Sequence, residues 1–589
     1  MHLMTLACDL DGTLTEHGAI DSATWAQLGR AKTAGWRLIL VTGRLFDTFI
    51  STGPFAETFD AIVAEDGAVV CFPHRDIVTL PFGRLPDELR RRLDVLPIPL
   101  ERGLAIVATR IPHDQVVFDL LRATGGGATV EYNRGAVMVL PPGATKGTGL
   151  QYALRELGIS ARSVVACGDA ENDRSLLGQA EFAVAVANAT PELKEQADLV
   201  LAAPAGEGVR YLIDQLLRGR VPPHRCRPER QLLLGEQTDG EPLRLDPFTV
   251  LDGTLGIVGS SGAGKSWLAG LLAEAMLQQG YQLVLIDPEG DYRTLRAFPH
   301  TLLLGGEGGG LPPVPDVIVL SEYTEVSLVL DLSPTAPDAR QRYVTELLRE
   351  LWCLRAAHGR PHWLLVDEVQ SFCPPEGSEA TGLLHELMRQ GGVGLVSYRP
   401  SLVAPDLLAA INHWLFTRME WSEEQAVLAP LLQRHPGWPA LSEQLSTLAR
   451  GQAYLCLGTG PGGEAAPQLL SFRTGPRAVP HIRHLHKYLR AALPREKRFY
   501  FHDSRGRFLG VVAANLWEFW QALGTLPLES LEYHLKRGDF ARWIDGVLSD
   551  HELARQITRL AHRSLTGEAL RQALSAVVCQ RYEELDSLV

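Results

Sequence analysis

Two phosphate-handling signatures stand about 250 residues apart in this chain, Asp9-Leu10-Asp11-Gly12-Thr13-Leu14 and Gly259-Ser260-Ser261-Gly262-Ala263-Gly264-Lys265-Ser266. Each follows an apolar stretch of strand character, so each requires a parallel α/β layer of its own. At 589 residues the chain also exceeds what a single core can organise. The first signature supplies an aspartyl nucleophile, and the second a loop whose amides cradle a nucleotide. A one-step enzyme is not the expectation.

Composition narrows the setting. With 46% hydrophobic and 21% charged residues the chain reads as ordinary globular protein. It holds no apolar run long enough for a membrane helix, so no membrane partner is expected. The start runs straight into Thr5-Leu6-Ala7-Cys8 without a basic leader, and a cytoplasmic location is expected. The eight cysteines are scattered, with no C-x-x-C pair, and read as reduced structural thiols. A formal charge of −13 argues against a basic coat, so any contact with nucleic acid would use a local surface such as a ring lumen.

Residues 1–217 alternate short apolar strands with helical patterns. The proline-rich segment 218–228 is the linker, and the alternation resumes over 229–475 with strands at 254–258, 283–286, 363–366, 394–396 and 414–417. Gly305–Gly310 marks a surface loop. A basic linker at 476–498 leads to an accessory domain at 499–589, where 516–523 and 550–561 have helical spacing. Basic residues crowd 471–510, which suits either a solvated linker or an arm that contacts DNA or a neighbouring subunit. His481, His484 and His486 lack carboxylate or thiolate partners in sequence and read as solvent-facing. In the accessory domain, aromatics at helical spacing read as core, and His534 with Asp539 is a weak catalytic alternative to an interaction module.

Asp9 and Asp11 sit two residues apart at a strand end, where one carboxylate can attack phosphorus and the other serve the leaving oxygen. Their partners follow in order. Val41-Thr42-Gly43-Arg44 offers a hydroxyl and an amide, Lys146 a cation, and Gly168-Asp169-Ala170-Glu171-Asn172-Asp173 hard oxygen ligands for Mg²⁺. This set resembles the haloacid dehalogenase superfamily, in particular its Cof-like subfamily, over residues 1–217. The resemblance implies Asp9 as nucleophile and Asp11 as general acid/base. It implies Thr42, Gly43, Lys146 and Asn172 as the phosphate-binding set, and Asp9, Asp11 (through its carbonyl), Asp169 and Asp173 around Mg²⁺. A substrate-selecting cap is expected at about 80–145. The substrate is an unidentified phosphate ester.

Gly259–Ser266 fits G-x-x-x-x-G-K-S, with Lys265 for the β/γ oxygens and Ser266 for Mg²⁺. Asp367 and Glu368, after an apolar strand, suit the Mg²⁺ shell and the attacking water. The segment Leu285–Tyr292, the glycine-bearing strand after Gln390, and Ser397-Tyr398-Arg399-Pro400-Ser401 resemble the HerA/FtsK class of hexameric DNA translocases over 229–475. Two positions depart from that class: Glu289 stands for its usual His, and Tyr398 for the Gln that senses the γ-phosphate. The resemblance implies ATP and Mg²⁺ as cofactors, with Asp287 and Tyr398 joining Gly259, Ser260, Ser261, Gly262, Ala263, Gly264, Lys265 and Ser266 at the nucleotide. Arg399 and Arg418 become candidates for an arginine acting on a neighbouring subunit.

The expected fold is multidomain α/β: a Rossmann-like phosphatase domain with an α/β cap, a RecA-like P-loop ATPase domain, and a small, mostly helical C-terminal domain. The expected function is an ATP-driven homo-hexameric motor on duplex DNA fused to a phosphatase, in DNA processing or antiviral defence with a separate nuclease. The alternative is a small-molecule or sugar-phosphate phosphatase regulated by nucleotide.

Overall fold

The computed structural model describes residues 2–586 except 17, 51–52, 125–126, 134, 307–308, 433–437, 459–466, 480–488, 490–492, 494, 549 and 564. His481, His484 and His486, with most of the basic linker, lie outside the described residues. Among the described residues no helix is long and apolar enough to cross a membrane.

In the N-terminal unit the strand Thr5–Asp9 lies between Val164–Gly168 and Arg37–Val41, parallel to both. The sheet has eight strands, parallel from Leu199–Val200 to Ala61–Ala64 and closed by the antiparallel Val69–Phe72 and Ile77–Thr79. Helices cover both faces, so Thr5–Asp9 and Val164–Gly168 are buried at every position and read as continuous apolar runs. The cap is a four-stranded antiparallel sheet carrying the helices Asp87–Asp94 and Asp114–Ala123. Leu85, Leu89, Leu93, Val107, Val117, Leu121 and Val139 give it a core of its own.

The central unit is built on an eleven-stranded sheet. The P-loop strand Thr254–Val258 runs parallel between Val393–Ser397 and His413–Phe416, with Trp363–Val366 and Leu283–Asp287 beyond. Strands Thr301–Gly305 and Ser327–Asp331 complete the parallel side, and four antiparallel strands extend the other. Packing continues past the expected boundary at 475. Arg477 is not a solvated linker residue: its Nε donates to Glu274 at 2.6 Å on the helix that follows the P-loop, and the pair is buried.

The two sheets meet at the N-terminal ends of their strands. Ser163, just before Val164–Gly168, places its Oγ 3.3 Å from His362 Nε2, just before Trp363–Val366. His362 Nδ1 accepts the Gln282 amide at 2.8 Å, so the ring is neutral with its proton on Nε2, and burial pushes it well below the usual histidine range. Tyr281 donates to Glu181 at 2.7 Å, and Arg162 and Arg230 flank the same carboxylate at 3.0 and 3.3 Å.

The C-terminal unit packs the hairpin Phe499–His502/Phe508–Ala513 on helices around Phe499, Phe501, Phe519, Phe540 and Trp543. Its His534 is a framework residue rather than a catalytic one. Nε2 accepts the His502 amide at 2.9 Å and Nδ1 meets Asp539 at 2.9 Å, so both ring nitrogens are used.

Glu181→Ala is expected to cost roughly 3 kcal/mol, because it leaves two arginines beside buried Tyr281 without their carboxylate. Calorimetry should show the melting transition lowered and broadened as the two units uncouple; an unchanged melt would mean the junction is not cohesive.

Candidate active sites

The first site is gathered by strand ends and one helix start. Thr5–Asp9 delivers Asp9, Arg37–Val41 leads into Thr42 and Gly43, and Val164–Gly168 leads into Asp169. The helix Lys146–Leu157 opens on a capping box between Thr145 and Thr148. It packs closely on the helix Asp173–Gln179 and the turn Glu65–Gly67 because Gly147 and Gly149 lack side chains: a Cβ on Gly147 would lie 2.3 Å from Ser175 O and one on Gly149 2.5 Å from Gly67 Cα.

That approach buries Lys146, whose Nζ donates to Asp9 Oδ1 and Asp173 Oδ1, each at 2.6 Å. Burial alone would lower the lysine's affinity for its proton, but Asp173, Asp9 and Asp66 outweigh it and hold the ammonium charged. Burial, then the charge of Asp173, pushes Asp9 up to about 7 against the pull of Lys146. Asp9, Asp169 and Asp173 bring ligand oxygens within 4.8 Å of one another, a donor set suited to a hard divalent cation. Thr13 Oγ1 steadies Asp169 at 3.2 Å, and the Asp169 and Ala170 amides donate to Asp173 Oδ2.

The carboxylate of Asp11 stands outside this cluster. Arg44 holds it in a fork, Nε at 2.8 Å and Nη2 at 2.6 Å, where both side chains are partly exposed. Thr42 is buried, with Oγ1 accepting the Arg44 amide at 3.2 Å. Gly43 and Asn172 face Asp66, which the sequence did not single out. Asn172 Nδ2 donates to Asp66 Oδ1 at 2.9 Å, and a Cβ on Gly43 would lie 3.3 Å from that oxygen. Burial pushes Asp66 up to about 6. Its neighbour Glu65 accepts the amides of Leu104, Ala105 and Ile106 at 2.8–3.2 Å and so pins the cap to the sheet. The signal for both was the pair of acids directly after the apolar strand Ala61–Ala64.

The second site lies between Thr254–Val258 and the helix Lys265–Gln278. Gly262 and Gly264 take φ of 79° and 102°, which wraps the loop over the helix start. A cavity of about 910 Å³ opens there, lined by Ser261–Trp267, Glu289, Asp291, Glu368, Gln370, Tyr398, Arg450 and Asp545, among others. Lys265 Nζ donates to Ser260 O at 3.1 Å and stands 5.9 Å from the Tyr398 ring. Asp367 is buried behind Glu368, whose amide it accepts at 2.9 Å; burial and the Glu368 charge raise it well above the carboxylate range.

One expectation changes, and the two candidate arginines are placed. Asp287 does not line the cavity: its carboxylate accepts the amides of Glu289, Gly290 and Tyr292 and shapes the loop that presents Glu289 and Asp291 instead. Arg418 clamps its own P-loop, its carbonyl accepting the Ser260 amide at 2.8 Å, while its side chain meets Glu420. Arg399 lies outside the cavity, half-exposed over the Trp421 ring and 3.8 Å from Glu424. Sequence reasoning also missed Trp267, Arg450, Gln370 and Asp545, which approach the cavity from elements far apart in the chain.

Residues 6–80 and 106–213 match the family model of haloacid dehalogenase-like hydrolases, and residues 232–351 that of the helicase HerA central domain. The chain is 31% identical to a phosphoglycolate phosphatase of Methanothermobacter thermautotrophicus, covering 36% of this chain and 99% of that protein. It is 29% identical to phosphoglycolate phosphatase 2 of Saccharolobus solfataricus, over 36% of this chain and 92% of that one. A solved haloacid dehalogenase-like hydrolase from Bacteroides thetaiotaomicron aligns at 21% identity, over 36% of this chain and 99% of its own, with a TM-score of 0.33.

Asp66→Asn keeps the amide contact and removes a buried charge. The raised carboxyl penalises the fold fully above about pH 6 and not below about pH 4, so the variant is expected to gain roughly 1–3 kcal/mol at neutral pH. Melting curves across pH should show the gain vanish on acidification; a gain that persists at pH 3 would exclude this cause.

Proposed function

The chain belongs to the haloacid dehalogenase-like hydrolases through its N-terminal unit, which is joined to a HerA-type ATPase unit, and from that premise we propose an ATP-driven, homo-hexameric translocase on duplex DNA that carries a Mg²⁺-dependent phosphatase. It is a hydrolytic enzyme on both counts.

In the phosphatase step Asp9 attacks phosphorus, the ester oxygen leaves with a proton from Asp11, and water then releases phosphate from Asp9. Asp9, Asp169 and Asp173 are the residues to hold Mg²⁺, which supplies charge neutralisation at the phosphoryl group when bound. Lys146 keeps the nucleophile's oxygen in place and Arg44 orients Asp11. In the ATPase unit Lys265 and Ser266 grip the phosphates and Glu368 orients water.

The observation that favours a ring is the position of Arg399. It stands half-exposed outside its own cavity, where a group that completes a neighbour's site belongs. Arg418 is tied to its own loop and fits that role less well. A partner nuclease and an antiviral or DNA-processing setting extend this reading. The cytoplasm is its proposed location.

The near full-length match to phosphoglycolate phosphatases favours a second reading, a small-molecule phosphatase regulated by nucleotide. ATPase rates with and without duplex DNA, alongside mass measurement with nucleotide present, separate the two. Stimulation by DNA and a six-fold mass support the motor. A monomer indifferent to DNA, with fast turnover of phosphoglycolate or a sugar phosphate, supports the second reading. Under both, Asp9→Asn is expected to reduce aryl phosphate release to background.

A further inference from the structure

Position 398 lacks an amide, yet an amide lies in the same cavity on the loop of the adjacent strand. Gln370 sits on the short turn Val369–Ser371, just after Asp367-Glu368. Its Nε2 donates to a Glu368 carboxylate oxygen, and its Oε1 accepts from Ser397 Oγ at 2.7 Å. Ser397 ends the strand that precedes Tyr398, and its Oγ also accepts the Arg399 amide at 3.1 Å. That strand pairs in parallel with the P-loop strand on one side and with Trp363–Val366 on the other.

One side chain therefore joins the Glu368 carboxylate, which lines the cavity, to the strand end that leads into Tyr398. Glu368 needs such support, because its backbone is left-handed at φ 48°. For a non-glycine residue that conformation costs of order 1 kcal/mol or more and persists only when neighbours hold it. The Tyr398 ring cannot do this: it stands over Lys265, and its phenol has one donor where an amide has a donor and an acceptor on separate atoms.

We propose that Gln370 is the positioning residue that couples Glu368 to the end of strand Val393–Ser397, in place of the amide missing at 398. It acts through Glu368 and Ser397 rather than on the nucleotide. The inference rests on the ATPase unit alone and is independent of DNA or ring formation.

The test uses the full chain with Gln370→Ala and the isosteric Gln370→Glu, which cannot donate to Glu368. Both are expected to lower the ATPase kcat roughly 10–100-fold, with KM and the affinity for a fluorescent ATP analogue held within about threefold. A non-hydrolysable ATP analogue should slow amide hydrogen exchange over residues 397–402 in the wild type and not in Gln370→Ala. Adding Tyr398→Gln to Gln370→Ala should restore at least about a tenth of the lost rate, which a purely structural role would not do. Unchanged kcat in both variants, a loss confined to nucleotide affinity, or an exchange response that survives Gln370→Ala overturns the proposal. A wild type without ATP turnover would count against the ATPase activity itself, and the exchange comparison would still decide the role of Gln370.

Discussion

Both chemistries hang from the carboxyl ends of parallel strands, and both sheets are joined to each other at the opposite ends. A parallel strand buried on both faces fixes its terminal residue tightly, because its backbone is paired on both sides and its side chains are packed. Asp9, Asp169, Asp367 and Ser397 all inherit their positions from such strands. The junction around His362, Ser163, Tyr281 and Glu181 consumes the amino ends.

Within each site the dominant force is the crowding of buried carboxylates, and the two sites resolve it differently. In the first, one ammonium serves Asp9 and Asp173 together, and the remaining oxygens form a cation cradle with Asp169. Beneath the second, Asp287 spends its oxygens on three backbone amides, yet burial with Asp291 and Asp331 still pushes it up to about 8. Asp367 is raised as well, by burial first and then by the charge of Glu368.

Legibility followed from whether function and local order coincide in sequence. Asp9, Thr42, Lys146 and Asp169 were readable because each directly ends a strand or starts a helix, where motif and element overlap. The central strands were readable for the same reason, as apolar runs bounded by glycine or acid. Glu65 and Asp66 were missed although they too follow a strand, because a pair of acids after an apolar run looks like any solvated turn. Glu65 is held by the amides of residues 104–106 at the cap and Asp66 by Asn172, partners far away in sequence. Asp287 was misread in the opposite sense: its motif context suggested a ligand contact, while its geometry is that of a loop cap. Arg477 looked like one charge in a basic run until packing paired it with Glu274.

The junction between the sheets also bears on how the two sites can influence each other. Any influence must pass along the strands and through the junction, where His362 and Gln282 begin the two strands that end at Asp367 and Asp287. Ser163, on the far side of the same contact, begins the strand that ends at Asp169. Such a path transmits only if the junction has two discrete arrangements. The neutral, fully engaged His362 and the carboxylate shared by Tyr281, Arg162 and Arg230 describe a single well-satisfied one. The junction therefore ties the phosphatase unit to the central unit through satisfied polar contacts, while each site draws on its own strand ends.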